Sequence, residues 1–364
     1  MTAARHEPAA SPTNLGAVQA LRGLAAMLVV LYHATQMVAE RLGAGQVLTF
    51  GASGVDLFFP ISGFVMVLTT HRHWGKAGQA RDFLLRRLAR IVPLYWAATL
   101  LKVGALLALP AMASHPTLDA WHVVASFLFI PAWDVHHRAQ PIVPVGWSLH
   151  FEMLFYLLFA WALWLRVRPL LWLSLVLGTI CLLAPWRDAL GAIGTLADPM
   201  LLEFVAGMFI GWATVRGRVL PVSVAAALLA AALLALPATE AMGHGAAYTW
   251  RALVWGVPGA LALAAAVALE GWWQRHRSPM LERLGDASYA IYLVHGFVLP
   301  PLGFVLVRLG LNSGAWPLLA VLAACVASAW IGWWVHRWVE RPLTERLIEH
   351  IRRQPVKAPE PTGA

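Results

Sequence analysis

Apolar residues fall along this chain in long runs, separated by short stretches rich in arginine. Ten of the runs approach the ~20 residues that an α-helix needs to cross a ~30 Å hydrocarbon core. They lie near 18–38, 50–70, 91–109, 147–165, 170–184, 199–215, 219–236, 251–269, 287–309 and 316–337. The fifth is short and reads as a tilted or partly buried segment. A further apolar piece, Trp121 to Ile130, is too short to span and reads as re-entrant or interfacial. The pattern predicts an all-α integral membrane protein, a bundle of about ten transmembrane helices. It divides the chain into an N-terminal tail (1–17), one transmembrane unit (18–342) and a C-terminal tail (343–364). Roughly the first dozen residues and the Pro-rich, charged stretch 354–364 read as disordered. The connection 110–146, rich in Pro and His, is the natural place for substrate contacts.

Composition sharpens this picture. Sixty per cent of the 364 residues are hydrophobic and 12% are charged, about half the charged fraction of a soluble chain. Nineteen tryptophans suit a protein with two headgroup-level belts. The apolar run after Arg22 reaches Val38 and has no clear small-residue cleavage site after it, so it reads as an uncleaved first span rather than a signal peptide. Cys181 and Cys325 both sit inside apolar runs, which argues against a disulfide or a metal site.

The formal charge of +9 would raise nucleic acid as a partner in a soluble protein. Here its distribution gives a different reading. With the N-terminus inside, the cytoplasmic connections and tails hold Arg5, Arg72, Lys76, Arg81, Arg86, Arg87, Arg90, Arg166, Arg168, Arg216, Arg218, Arg275, Arg277, Arg283, Arg337, Arg341, Arg346, Arg352, Arg353 and Lys357. The outer loops hold Arg41, Arg138 and Arg187. Twenty against three obeys the positive-inside rule and puts both termini in the cytoplasm.

Ionisable residues inside spans cost free energy and therefore mark function or pairing. Arg22 and His33 share the first span. Eleven residues at 100° per residue is three turns plus about 20°, so both leave one face, ~16 Å apart along the axis. They are either a snorkelling arginine and a core histidine or a cation and a base on one working face. Asp56 near the outer end of the second span is either a solvated carboxylate or a group that orients His33 or binds a hydroxyl. The glycines and Ser62 around it allow close helix packing. Arg87 and Arg90 are i, i+3 on the inner connection and share a helix face. Their guanidinium forks suit phosphate oxygens, those of a ligand or of lipid headgroups. Glu152, inside the fourth span, needs a partner, and a carboxylate–imidazole pair with His33 would supply one. Tyr292 and His295, i, i+3 in the ninth span, form a possible secondary site. Glu203 in the sixth span is expected to bridge to another helix.

These residues together resemble the membrane acyltransferase-3 family, proteins that acylate bacterial surface polysaccharides, lipid-linked glycans and some antibiotics. The resemblance runs through Leu21-Arg22-Gly23-Leu24-Ala25, the Arg22/His33 pair, Gly54-Val-Asp-Leu-Phe-Phe with Ser62-Gly63-Phe64, Arg87-x-x-Arg90, Trp147-Ser-Leu-x-x-Glu152, Ser288-Tyr-x-Ile-Tyr-Leu-x-His295 and Glu340-Arg-Pro. Pro60 departs from the pattern at a place where the family has an apolar residue, and is expected to kink the second span. His150-Phe151-Glu152-Met153 keeps only the first carboxylate of a commoner double-glutamate form. The stretch after residue 342 is too short for the hydrolase-like domain of many relatives, a form that resembles the exopolysaccharide-modifying branch.

The resemblance implies an acyltransferase in the bacterial cytoplasmic (inner) membrane, with no bound cofactor or metal. The donor would be acyl-CoA, acetyl-CoA in particular, arriving from the cytosol with its phosphates at Arg22, Arg87 and Arg90. The acceptor would be a carbohydrate hydroxyl. His33 would act as base or carry the acyl group itself, with Glu152 and Asp56 as its catalytic carboxylates. A transporter or flippase of a lipid or glycan is the competing expectation.

Overall fold

A computed structural model describes residues 15–76, 78–108 and 119–353. Among them every regular element is a helix. It begins with α1 (Gly16–Leu42), whose end is marked by Gly43 in the left-handed region at φ 63°. A 3₁₀ turn (Thr49–Ser53) leads into α2 (Gly54–Thr70). Then come α3 (Gln79–Ala108), α4 (Ala120–Phe127), α5 (Trp147–Trp164) and α6 (Pro169–Cys181). A 3₁₀ stretch (Ala184–Leu196) bends away from α6 by 95°. After it follow α7 (Leu201–Val215), α8 (Val222–Ala238), the short α9 (His244–Thr249), a π turn (Ala252–Gly256) and α10 (Val257–Ala268). The chain closes with α11 (Glu270–Trp273), α12 (Pro279–Asp286), α13 (Ser288–Arg308), α14 (Trp316–Val335), a second π turn (His336–Glu340) and α15 (Arg341–Arg353).

Each of the ten apolar runs centres on a helix. Seven helical stretches among the described residues are long and apolar enough to cross a membrane, eight if α6 and the bent stretch after it make one span. The apolar helices Leu201–Thr214 and Ala252–Ala268 are shorter. Trp121 to Ile130 holds α4, whose eight residues rise only about 12 Å and whose start is capped by Asp119 accepting from the His122 amide at 2.8 Å. The run 110–118, most N-terminal in the Pro- and His-rich connection, and the two tails' ends lie outside the described residues.

Two differences from the sequence reading matter for the site. First, α3 begins at Gln79 rather than near 91. The helix face expected for Arg87 and Arg90 therefore belongs to one continuous 30-residue helix that also holds the apolar run. Second, the segment after the last span is the helix α15, with Leu343, Leu347, Ile348 and Ile351 on one side and charged residues on the other.

α1 is the axis of the bundle and touches α2, α10, α12, α13 and α14. Small residues let the neighbours approach. A Cβ on Gly54 would stand 2.2 Å from the Ala25 carbonyl oxygen, and one on Gly285 would stand 1.9 Å from that of Gln19. The α2–α7 crossing is tighter still: Gly207 faces the Pro60 carbonyl and Gly63 faces that of Phe204. Pro60 is tolerated because α2 stays helical through it and Gly207 leaves room for its carbonyl. Between these helices a stacked aromatic column of Phe59, Phe204 and Phe155 fills the core at centroid spacings of 4.4 and 4.5 Å. α2 is the most enclosed span, 78% buried, whereas α8 and the span beginning at α14 are 22% buried. Leu234, Leu318, Val326 and Trp330 on those outer helices are exposed, as lipid-facing residues should be.

Candidate active site

α1, α2, α3, α5 and α13 enclose a cavity of about 180 Å³. Its wall carries four charged side chains: Arg22 from α1, Arg87 and Arg90 from α3, and Glu152 from α5. Three guanidiniums against one carboxylate leave an excess of positive charge in a wall that mixes apolar residues such as Phe58, Ile61, Val65 and Leu149 with hydroxyls such as those of Ser62, Ser148 and Tyr292.

The three arginines are only partly engaged. Arg22 donates to Gln19 Oε1 and Ser288 Oγ, each at 2.9 Å. Both acceptors are neutral. Arg87 lies with its guanidinium carbon 5.8 Å from the Phe83 ring centre and reaches Thr69 Oγ1 at 3.5 Å; its buried Nε has no hydrogen-bond partner. None of the ion pairs among the described residues involves Arg22, Arg87 or Arg90. Guanidiniums that outnumber the nearby carboxylate and make no direct ion pair around a cavity suit an anionic ligand with several phosphate oxygens.

Glu152 sits on the same wall with its carboxylate held by the Tyr156 hydroxyl and, more distantly, by Ser62 Oγ at 3.4 Å. Ser62, read from sequence as a packing residue, thus faces the cavity. At the other end of the cavity lie Val55, Ser148 and Tyr292. The Tyr292 hydroxyl donates to the Val145 carbonyl at 2.5 Å and shares a 2.8 Å hydrogen bond with Ser148.

His33 does not line this cavity. Its Nδ1 lies 3.0 Å from the Val29 carbonyl oxygen. A carbonyl only accepts, so Nδ1 carries the hydrogen and Nε2 keeps the lone pair of a base. The His33 ring packs on that of His295, with centroids 4.9 Å apart. His295 is fully buried; neither ring nitrogen makes a hydrogen bond of good geometry among the described residues, and the ring interacts with the Tyr292 and Ile291 backbone one turn earlier in its own helix. Tyr292 touches His295 in turn, at 6.0 Å between centroids. From the arginines the order is therefore cavity, Tyr292, His295, His33.

The expected carboxylate–imidazole pairs are not formed. No hydrogen bond joins His33 to Glu152 or Asp56 among the described residues. The reason is a register shift that hydropathy cannot show. α2 does not start level with the far end of α1: Gly54 packs at Ala25 and Val29, and Gly51 packs at Leu28 and Tyr32. α1 runs on past the start of α2, and carries His33 beyond the level of Asp56.

Asp56 has a different partner. Arg251, just before the first π turn, forks onto it through Nε at 2.9 Å and Nη2 at 2.8 Å, and Nη2 also reaches the Ala52 carbonyl at 3.2 Å. The guanidinium is ringed by Trp147, Tyr248 and Trp255 at 5.2–5.4 Å. Glu203 lies beside this pair, with its carboxylate against Gly256. Arg251 was missed from sequence as a site residue. The available signal was that a cation inside one apolar run needs a carboxylate from another.

The exopolysaccharide production protein ExoZ of Rhizobium meliloti is 34% identical over 299 residues, covering 81% of this chain and 89% of that protein. The acyltransferase MdmB of Streptomyces mycarofaciens is 30% identical over 329 residues, 79% of each chain. The peptidoglycan O-acetyltransferase OatA of Listeria monocytogenes is 28% identical over 200 residues, 50% of this chain and 30% of that one. No solved structure matches. The acyltransferase domain family matches residues 15–337, and with nearly all of its apolar helices inside that match the chain belongs to this family and is a multi-pass membrane acyltransferase.

Proposed function

We propose that this protein moves an acyl group, acetyl in the first instance, from a coenzyme A thioester to a hydroxyl of a surface polysaccharide or lipid-linked glycan. The observation that carries the reading is the convergence of Arg22, Arg87 and Arg90 on one cavity with a single carboxylate in its wall. An ADP-like group with its phosphates matches that charge excess. The carbohydrate acceptor rests on the names of the relatives, an exopolysaccharide production protein and a peptidoglycan O-acetyltransferase. The basic residues favour both termini in the cytoplasm, which turns the beginning of α1, and with it Arg22, toward the cytosolic donor. His33 then stands ~16 Å further along the same helix, toward the side where a surface glycan is presented.

In this reading the phosphates anchor at the arginines and the pantetheine arm reaches along the cavity toward Tyr292. His33 Nε2 takes the proton of the acceptor hydroxyl, the oxygen attacks the acyl carbon, and the carbon–sulfur bond breaks. Arg251 and Asp56 brace α2 rather than touch substrate. The test is mass spectrometry of the host's surface glycans with and without the gene, paired with acetyl-CoA consumption by the purified protein. Loss of one acyl substituent, with donor consumed only when the glycan is supplied, is expected. Unchanged glycans and no donor consumption would overturn the reading.

A further inference from the structure

Gln19 stands one helical turn before Arg22 on the same face of α1 and lines the cavity with it. Its side-chain amide is used at both ends. Oε1 accepts from Arg22 Nη1 at 2.9 Å, and Nε2 donates to Asp286 Oδ1 at 2.9 Å. A carboxylate only accepts and a guanidinium only donates, so one orientation of the amide alone satisfies both neighbours. Asp286 closes α12, and two residues later Ser288 opens α13 and accepts from Arg22 Nη2. The junction Asp286-Ala287-Ser288 therefore holds the guanidinium from two sides, once directly and once through Gln19. That junction has little freedom against α1. A Cβ on Gly285 would stand 1.9 Å from the Gln19 carbonyl oxygen, and one on Gly23 would stand 2.9 Å from the Leu281 carbonyl oxygen.

Among the described residues no carboxylate makes an ion pair with Arg22; Asp286 reaches it only through a neutral amide. The Asp56 fork on Arg251 is the other way to hold a guanidinium, and it satisfies both charges. We propose that Gln19 is a positioning residue for donor binding, an amide spacer through which Asp286 fixes the direction of the Arg22 guanidinium without neutralising it. The inference rests on the acyl-transfer reading above, in which Arg22 meets a phosphate of the donor. That phosphate finds a guanidinium already oriented, so less side-chain freedom is lost on binding. It also finds a charge not yet committed to a carboxylate. A carboxylate at position 19 would orient Arg22 equally well but would occupy it. Position 19 thus requires a neutral acceptor that is itself held from behind.

The experiment measures kcat and KM for acetyl-CoA on the full chain in lipid discs, with the host's surface polysaccharide, chemically stripped of O-acyl groups, as acceptor. Gln19→Glu keeps the size and pairs directly with Arg22, so KM should rise at least about tenfold, the loss of one charge-assisted contact. Gln19→Leu releases Arg22, and KM should rise about three- to tenfold. In both, kcat stays within about twofold, because nothing at His33 has changed. A merely structural role would reduce active protein and leave KM alone, and that outcome overturns the proposal. So does a wild-type KM in Gln19→Glu. Where the Gln19 variants fail to fold, the exposed Asp286 carries the test. Asp286→Leu, which leaves the amide unheld, should raise KM about threefold, and Asp286→Asn, which still accepts from Gln19, should keep the wild-type value. Equal KM in both overturns the spacer while an active wild type leaves the acyl-transfer reading intact. Wild-type protein that neither transfers acetyl nor releases CoA thiol defeats that reading, and the spacer with it.

Discussion

Arg251 and the trio Arg22, Arg87 and Arg90 are all arginines inside one helix bundle, and the protein treats them in opposite ways. Arg251 has everything a buried guanidinium needs: a bidentate carboxylate, a backbone carbonyl and three aromatic faces. The trio has neutral hydroxyls and an amide for partners, one orphaned Nε, and a cavity in front. A saturated charge has no capacity left for a ligand and can only hold helices together. An undersaturated cluster is held in place by the surrounding fold and completed by what binds. Partner count, more than depth in the membrane, is what distinguishes the two sets of arginines, and it is the ground for reading one as a brace and proposing the other as a binding site.

The brace side of this contrast carries the largest expected effect. Arg251→Met leaves the Asp56 carboxylate buried beside Glu203 with no cation, a loss of about 3–5 kcal/mol. Folded protein recovered from membranes should drop sharply, and its thermal unfolding in detergent should shift down. Replacing both members, Asp56→Leu with Arg251→Met, removes the stranded charge and should restore most of the folded protein. Full acyl transfer by that double variant would confirm that neither residue touches substrate. An Arg251→Met protein as abundant and stable as wild type would remove the distinction drawn above.

The next effect belongs to the chemistry. His33→Gln keeps a polar side chain of similar size on α1 but cannot accept the acceptor's proton. Transfer should fall by about 10²–10⁴-fold with normal protein levels, since the only bond lost is to a carbonyl already inside the helix. Near-normal turnover by well-folded His33→Gln would remove it as the base.

Third come the open arginines. Arg87→Ala and Arg90→Ala each take one charge-assisted contact from a phosphate, worth about 1.5–3 kcal/mol. Apparent donor affinity should weaken roughly ten- to hundredfold, with acceptor dependence unchanged. Equal loss for donor and acceptor would point to a distorted bundle. No loss for either would assign the pair to lipid headgroups.

Much of this was legible in the amino-acid sequence, and the exceptions have a common cause. Run length and composition located the helices, because crossing a bilayer imposes both. The i, i+3 spacing of Arg87 and Arg90 put them on one face, and α3 is helical there. The 11-residue spacing set Arg22 and His33 on one side of α1. What a single chain does not encode locally is the axial register between helices. Asp56 and Glu152 both lie near one end of their spans and were matched to His33 on that basis. The glycine contacts at Gly51 and Gly54 slide α2 along α1, so Asp56 meets Arg251 instead; Glu152 is held by Tyr156, one turn later on its own helix. The His33–His295 contact was hidden for the same reason, since it depends on how α13 is set against α1. Ser62 illustrates a smaller ambiguity: a small hydroxyl residue beside a glycine fits a helix crossing and a cavity wall equally well. Gly63 took the crossing and left Ser62 facing inward.

Ser62 gives the smallest effect and the finest test of the cavity wall. A serine beside a glutamate in an acyltransferase invites the thought of an acyl-serine intermediate. The geometry argues otherwise. The Ser62 Oγ–Glu152 distance is 3.4 Å and the Ser62–Tyr156 distance is 3.5 Å, the long end of hydrogen bonding, whereas Tyr156 holds Glu152 closely. Among the described residues no imidazole is hydrogen-bonded to Ser62 to take its proton, and a hydroxyl without an adjacent base is a weak nucleophile. Ser62→Ala therefore removes one weak neutral contact, worth about 1 kcal/mol or less, and should slow transfer no more than about fivefold. Tyr156→Phe, which strips Glu152 of its main donor in a buried wall, should cost more than Ser62→Ala in the same assay. An inactive Ser62→Ala protein, or an acyl group found on Ser62 by peptide mass spectrometry after a donor pulse, would make Ser62 the nucleophile and move the chemistry from His33 into the arginine-lined cavity.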